Sequence, residues 1–176
     1  MRPILAAALA LTAAPALATL PVGAKAPAFT AKGAVAGKPI DVRLADQLRR
    51  GPVVLYFFPA AFTGGCNAEA HAFAEAVDDF RRAGATVVGM TAGNVDKLAA
   101  FSAEKCAGKF AVAAATPAVI RGYDVELKRP DGGSWTTRTS YVIGRDGRVA
   151  FVHSEMSPAE HVSRTLAAVR ALPARR

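Results

Sequence analysis

The sequence predicts an α/β domain built on a central mixed sheet flanked by helices. Three observations carry this reading. The continuous apolar run Val53 to Phe58 has the character of a strand buried on both faces. Twice in succession, such a run passes into apolar residues at helical spacing. Near the C-terminus an Asp-Gly pair separates two apolar stretches, which marks a hairpin. The 176 residues suffice for one domain with a real core, and 52% apolar against 20% charged residues excludes a disordered, collagen-like or disulfide-dense chain.

Taken in order, Arg2 precedes the apolar stretch Ile4 to Ala14, and the small-residue pattern Ala16-Leu17-Ala18 follows. This is the form of a secretory signal peptide, too short and too proline-interrupted to span a bilayer, with cleavage expected after Ala18. The expected domain organisation is a leader over 1–18 and a single domain over 19–176. Residues Val22 to Pro39 have no clear period and read as an extended arm. The strand ending at Phe58 leads through a loop, Ala60 to Gly65, into a helix carrying Phe73, Val77 and Phe80, with Gly84 as its stop. Thr86 to Met90 is the next strand. Asn94 is the expected N-cap of a helix through Val95, Leu98, Phe101 and Ser102 to Cys106, closing near Gly108. The repeated strand, helix, strand pattern predicts parallel pairing. A weaker strand is expected over Phe110 to Ala114. Trp135 to Ile143 and Arg148 to His153 flank the Asp146-Gly147 turn and should pair antiparallel. Ser157-Pro158-Ala159-Glu160 has the form of a capping box opening a helix through Val162, Leu166 and Val169.

The formal charge is +8, from 22 Lys and Arg against 14 Asp and Glu. The basic residues are dispersed along the chain without interleaved aromatics, so they read as solvated faces, and nucleic acid is not an expected partner. Two cysteines, Cys66 and Cys106, in a chain expected to be exported imply either one disulfide or redox chemistry. Cys66 falls where a buried strand has ended and an amphipathic helix begins, near unpaired N–H groups at the positive end of the helix dipole, which favours the reactive thiolate. A buried cysteine serving as a small hydrophobe is the competing reading.

The segment Pro59-Ala60-Ala61-Phe62-Thr63-Gly64-Gly65-Cys66 contains Pro-x-x-x-Thr-x-x-Cys and resembles the active-site motif of the peroxiredoxin family. Val22-Gly23 with Ala26-Pro27-Ala28-Phe29 resembles the family's N-terminal arm, and Arg138-Thr139-Ser140-Tyr141-Val142-Ile143 its arginine-bearing strand. The resemblance implies a thioredoxin-like fold and a thiol peroxidase in which Cys66 attacks hydrogen peroxide or an organic hydroperoxide. Physical chemistry assigns roles to the neighbours. Thr63 offers a hydroxyl to the peroxide, Arg138 a permanent cation with several donors, and Pro59 removes a competing N–H and restricts the loop. The resemblance also implies that Glu69, one turn beyond Cys66, orients the arginine.

Attack leaves a sulfenic acid, which a second thiol can condense with. The sequence is most similar to the PrxQ, or bacterioferritin comigratory protein, branch. Many of its members carry a resolving cysteine five residues after the first, where this chain has His71. Others place it in the helix after the next strand, which makes Cys106 the candidate resolver. The alternative is a one-Cys cycle in which an outside thiol reduces Cys66 directly. The departures Gly64-Gly65 and Asn67-Ala68 replace residues common in that branch.

Competing chemistries find less support. Cys66-Asn67-Ala68-Glu69 lacks the second thiol of a Cys-x-x-Cys oxidoreductase, and no Cys or His pair has zinc spacing. His71, His153 and His161 read as surface or packing residues. No metal, flavin or haem cofactor is expected. A non-catalytic thioredoxin-fold binding module has no physical need for Pro59, Thr63, Cys66 and Arg138 together. The expected partners are a hydroperoxide and an exported thioredoxin-like reductant, for a periplasmic or secreted monomer or weak homodimer without stable membrane insertion once the leader is removed.

Overall fold

The computed structural model describes residues 19–173. The expected leader over 1–18 and its cleavage point lie outside the described residues. Val53–Phe57 (β3) is the middle of the molecule, and every one of its residues is buried. Its alternation explains why the run has no polar gaps: Val53, Leu55 and Phe57 enter one core layer, while Val54 and Tyr56 enter the other together with Phe58. Each such side chain contributes about 1.5–3 kcal/mol by leaving water.

Around this strand the sheet is mixed. Thr86–Thr91 (β4) pairs parallel with β3, and Ala111–Ala114 (β5) pairs parallel with β4. On the other side Thr139–Ile143 (β8) pairs antiparallel with β3, and Val149–Ser154 (β9) pairs antiparallel with β8 across the Asp146-Gly147 turn. The helices Gly64–Arg82 (α2), Leu98–Glu104 (α3) and His161–Arg170 (α5) contribute Phe73, Phe101 and Val169 to one layer. The helices Leu44–Arg50 (α1) and Pro117–Tyr123 (α4) contribute Leu44 and Tyr123 to the opposite layer. This is the thioredoxin-like arrangement the resemblance implied.

The structure corrects several expectations. The supposed arm contains a hairpin, Thr30–Val35 (β1) and Lys38–Arg43 (β2), and β1 joins it to the sheet by pairing antiparallel with β5, which leaves β2 at the edge. Its turn places Ala36 and Gly37 at φ 49° and 78°, a left-handed pair formed without the usual Asn-Gly signal. The hairpin needs Gly33 as well, since a Cβ there would stand 2.3 Å from the Val112 carbonyl oxygen. The stretch Trp135 to Ile143 is two strands, because Ser134–Thr136 (β7) pairs with Glu126–Lys128 (β6) in a separate ribbon before the chain joins the main sheet as β8.

The C-terminal helix begins at His161 and not at the Ser157 capping box: Glu160 is its N-cap residue, and the Ser157 hydroxyl accepts from the Ala159 N–H at 3.5 Å and not from Glu160. Asn94 is left-handed, and its side chain donates to the Ala61 carbonyl at 2.8 Å instead of capping the helix. Cys106, expected on α3, lies just beyond it, in the turn that leads into β5.

Candidate active site

The segment between β3 and α2 is fixed on both flanks. The Thr136 hydroxyl donates to the Phe58 carbonyl at 2.6 Å, and the Thr91 hydroxyl donates to the carbonyl of buried Pro59 at 2.9 Å. Phe62 turns through φ 63°, and Thr63, extended, is the N-cap residue of α2. Its hydroxyl does not cap the helix. It donates to the Ala60 carbonyl at 3.1 Å, which leaves its oxygen lone pairs available to an incoming donor.

Cys66 therefore sits in the first turn of α2, 1% exposed, beneath the exposed glycines Gly64 and Gly65. A Cβ at Gly65 would stand 3.1 Å from a terminal guanidinium nitrogen of Arg138, so the bare backbone there leaves room for that cation. A guanidinium N–H of Arg138 donates to the Cys66 sulfur at 3.5 Å. Arg138 itself is 4% exposed and immediately precedes β8. A second guanidinium nitrogen donates to the Glu69 carboxylate, and Nε donates to the Met156 carbonyl at 2.9 Å. Three attachments, two on α2 and one on the segment after β9, hold one planar cation over the thiol, a rigidity that a flexible lysine would not provide.

Glu69 is 1% exposed on the same face of α2. Burial raises its carboxyl to about 8, while the adjacent Arg138 guanidinium draws it back down. Its second oxygen, Oε1, has no hydrogen-bond partner and faces His161 Nδ1 at 3.7 Å. His161 is fully buried. Its Nε2 lies 2.9 Å from the Glu155 carbonyl, which can only accept, so Nε2 carries the proton, and Nδ1 accepts from the Ser140 hydroxyl at 2.8 Å. Burial pushes this imidazole down to about 4, so the ring is neutral near pH 7.

Of the residues singled out from sequence, the structure brings Pro59, Thr63, Cys66, Glu69 and Arg138 together. Cys106 is not among them. It is free, fully buried and has its thiol raised by burial, and it precedes the start of β5, whereas Cys66 follows the end of β3. Both strands run parallel to β4, so the two thiols approach the sheet from opposite ends of its parallel strands. Sequence reasoning missed Ser140, His161, Thr136 and Thr91. A polar Thr-Ser pair inside the fully buried β8 was the available signal, since buried hydroxyls are placed to satisfy partners. Among the described residues, no three His, Cys, Asp or Glu side chains group to hold a metal ion.

A helix-terminal thiol beneath a fixed guanidinium, on a thioredoxin-like sheet, has the architecture of a thiol peroxidase. The AhpC/TSA family profile matches residues 22–152. The chain is 30% identical over 154 residues to the chloroplastic peroxiredoxin Q of Sedum lineare, covering 85% of this chain and 78% of that protein. The crystal structure of peroxidoxin BcpB from Mycobacterium tuberculosis superposes with a TM-score of 0.77 at 31% identity, over 87% of this chain and 98% of that one. The fold extends to a variant of Xylella fastidiosa PrxQ, with a TM-score of 0.74 at 20% identity over 88% and 98% of the two chains. The chain belongs to the AhpC/TSA peroxiredoxin family, and within it to the branch of PrxQ and BcpB.

Proposed function

We propose that Cys66 is the peroxide-attacking nucleophile of this peroxiredoxin, acting on hydrogen peroxide and organic hydroperoxides. The observation that carries the reading is the Arg138 guanidinium, which donates to both the Cys66 sulfur and Glu69. The thiolate attacks the terminal oxygen, the O–O bond breaks, and the sulfur is oxidised to a sulfenic acid. The leaving oxygen departs with the bond's electron pair and takes a proton from water to become water or an alcohol. Arg138 holds positive charge where negative charge moves from sulfur to oxygen, and the Thr63 oxygen accepts the peroxide's hydrogen bond. Pro59, anchored by Thr91, keeps a competing donor out of the loop.

The placement of the two thiols favours a one-Cys cycle, in which an exported thioredoxin-like dithiol reduces the Cys66 sulfenic acid. Bonding to Cys106 is the two-Cys alternative. It needs Cα atoms within about 7 Å, and the first turn of α2 or the turn after α3 would have to unwind. Export rests on the leader, and processing predicts a mature N-terminus at Thr19. A monomer or weak homodimer fits the large apolar side chains exposed among the described residues, which are Val22, Val95 and Met156. The test is peroxide turnover with a dithiol reductant. Cys66→Ser should abolish it with an unchanged circular dichroism spectrum, and Cys106→Ser should leave it within about twofold, since a residue outside the site contributes little to the barrier. Undiminished turnover in Cys66→Ser would refute the assignment.

A further inference from the structure

At the end of the sheet opposite Cys66, where β3 begins and β8 ends, lies a cavity of about 940 Å³. Its floor is apolar, built from Pro52, Val149, Val169 and Leu172. Arginines that are dispersed in the sequence converge on it: Arg50, Arg82, Arg145, Arg148 and Arg170. Few carboxylates answer them. Asp79 serves both Arg82 and Arg170, at 2.5 and 3.7 Å. Asp146 accepts from the Arg148 backbone N–H. Arg145 and Arg148 donate only to carbonyls, of Arg49 and Gly23, which leaves their charge uncompensated.

The chain also enters the domain here. Gly23 donates its N–H to the Val149 carbonyl at 2.7 Å, and Val22 is 60% exposed at the rim beside the arginines. An acidic peptide would match the guanidinium rim but leave the apolar floor against water. An anionic amphiphile, such as a phospholipid of a negatively charged bilayer, satisfies both the guanidinium rim and the apolar floor.

We propose that this cavity seats an anionic phospholipid, with its phosphate on the arginine rim and its glycerol and upper acyl region on the apolar floor. The domain then docks its basic end on a negatively charged membrane surface while Cys66 faces away from it. The proposal is independent of the peroxidase assignment, because none of these residues touches Cys66, Arg138 or Glu69.

The test is co-sedimentation of the full chain with phosphatidylcholine vesicles, with and without about 30% phosphatidylglycerol, a content that gives the surface a strong negative potential. The leader contributes in both compositions, so variants of the same full chain isolate the arginines. The wild type should partition at least about tenfold more strongly onto the anionic vesicles and lose that preference at high salt. Arg50→Gln with Arg145→Gln should weaken anionic partitioning about 30-fold, at roughly one kcal/mol for each arginine near the surface. The corresponding double lysine variant should retain it. Leu172→Ser should weaken it severalfold without altering charge, which separates a cavity from a merely basic face. Peroxide reactivity at Cys66 should be unchanged throughout, which certifies the fold. Equal partitioning of the wild type and the double glutamine variant overturns the proposal. So does binding of a polyglutamate peptide without preference for anionic vesicles.

Discussion

At the scale of single residues, the site depends on one cation held by three attachments. Arg138→Lys keeps the charge but cannot reach the Cys66 sulfur, the Glu69 carboxylate and the Met156 carbonyl together. The second-order rate with hydrogen peroxide, followed by stopped-flow fluorescence, should fall about 10²-fold, the cost of losing a preorganised donor at developing charge. His161 gives a pH prediction. Its folded value of about 4 lies below the 6.5 of an ordinary imidazole, so between these values the unfolded chain binds a proton that the native state does not. Its stability contribution is present above pH 6.5 and lost as pH falls towards 4. Glu69 acts with the opposite sign, raised from 4.5 to about 8, so its contribution is present at low pH and lost as pH rises through that window. Comparing the wild type with His161→Gln removes the shared Glu69 slope. The stability advantage of the wild type, from urea unfolding at several pH values, should shrink as pH falls from 6.5 to 4, by at most about 1.4 kcal/mol per pH unit. A pH-independent difference would show that the imidazole does not titrate in this way.

At the scale of elements, the loop carrying Pro59 and Thr63 is placed by its neighbour strand as much as by its own sequence. Gly93, just after β4, lies so close that a Cβ would stand 2.5 Å from both the Pro59 carbonyl oxygen and the Ala60 Cβ. Backbone cannot give way cheaply there. Gly93→Ala should destabilise the fold by about 1–3 kcal/mol in thermal or urea unfolding. It should also slow peroxide reduction by about tenfold or more, because a loop displaced by even about 1 Å loses its near-attack geometry. The same contrast explains what was legible in the sequence. β3, α2 and β4 announce themselves because burial dictates their pattern, strand alternation collapsing into a continuous apolar run and a helix face repeating through Phe73, Val77 and Phe80. The β1–β2 hairpin was illegible because Ala36 takes a left-handed conformation that its side chain does not signal. α4 was legible and missed, since Thr116 caps it and Pro117 opens it in the expected manner. Pro59, Thr63, Cys66 and Arg138 were found through a motif resemblance. His161 could not be found that way, because it gains its role only when α5 packs beside β8.

At the scale of the whole molecule, chain order says nothing about which thiols or charges meet, and the fold decides both. It gathers five arginines from four places in the chain around one cavity, and it holds Cys66 beyond the end of β3 while Cys106 waits before the start of β5. The second separation has a measurable consequence. Cys106 is fully buried, its thiol is raised by burial, and attack on a sulfenic acid requires a thiolate with access to it. One equivalent of hydrogen peroxide added to the reduced full chain should therefore consume one thiol, add one oxygen to the intact mass, and leave Cys66 trappable by a sulfenic-acid-selective reagent. Cys106 should stay alkylatable only after denaturation. Rapid loss of two thiols in a monomer would instead mean that oxidation unwinds the first turn of α2 or the turn after α3, and hydrogen exchange at residues 64–68 and 105–110 would then rise on oxidation. The bare Gly64-Gly65 pair at the head of α2 is where that opening would start, because glycine holds a helical turn less firmly than any residue but proline.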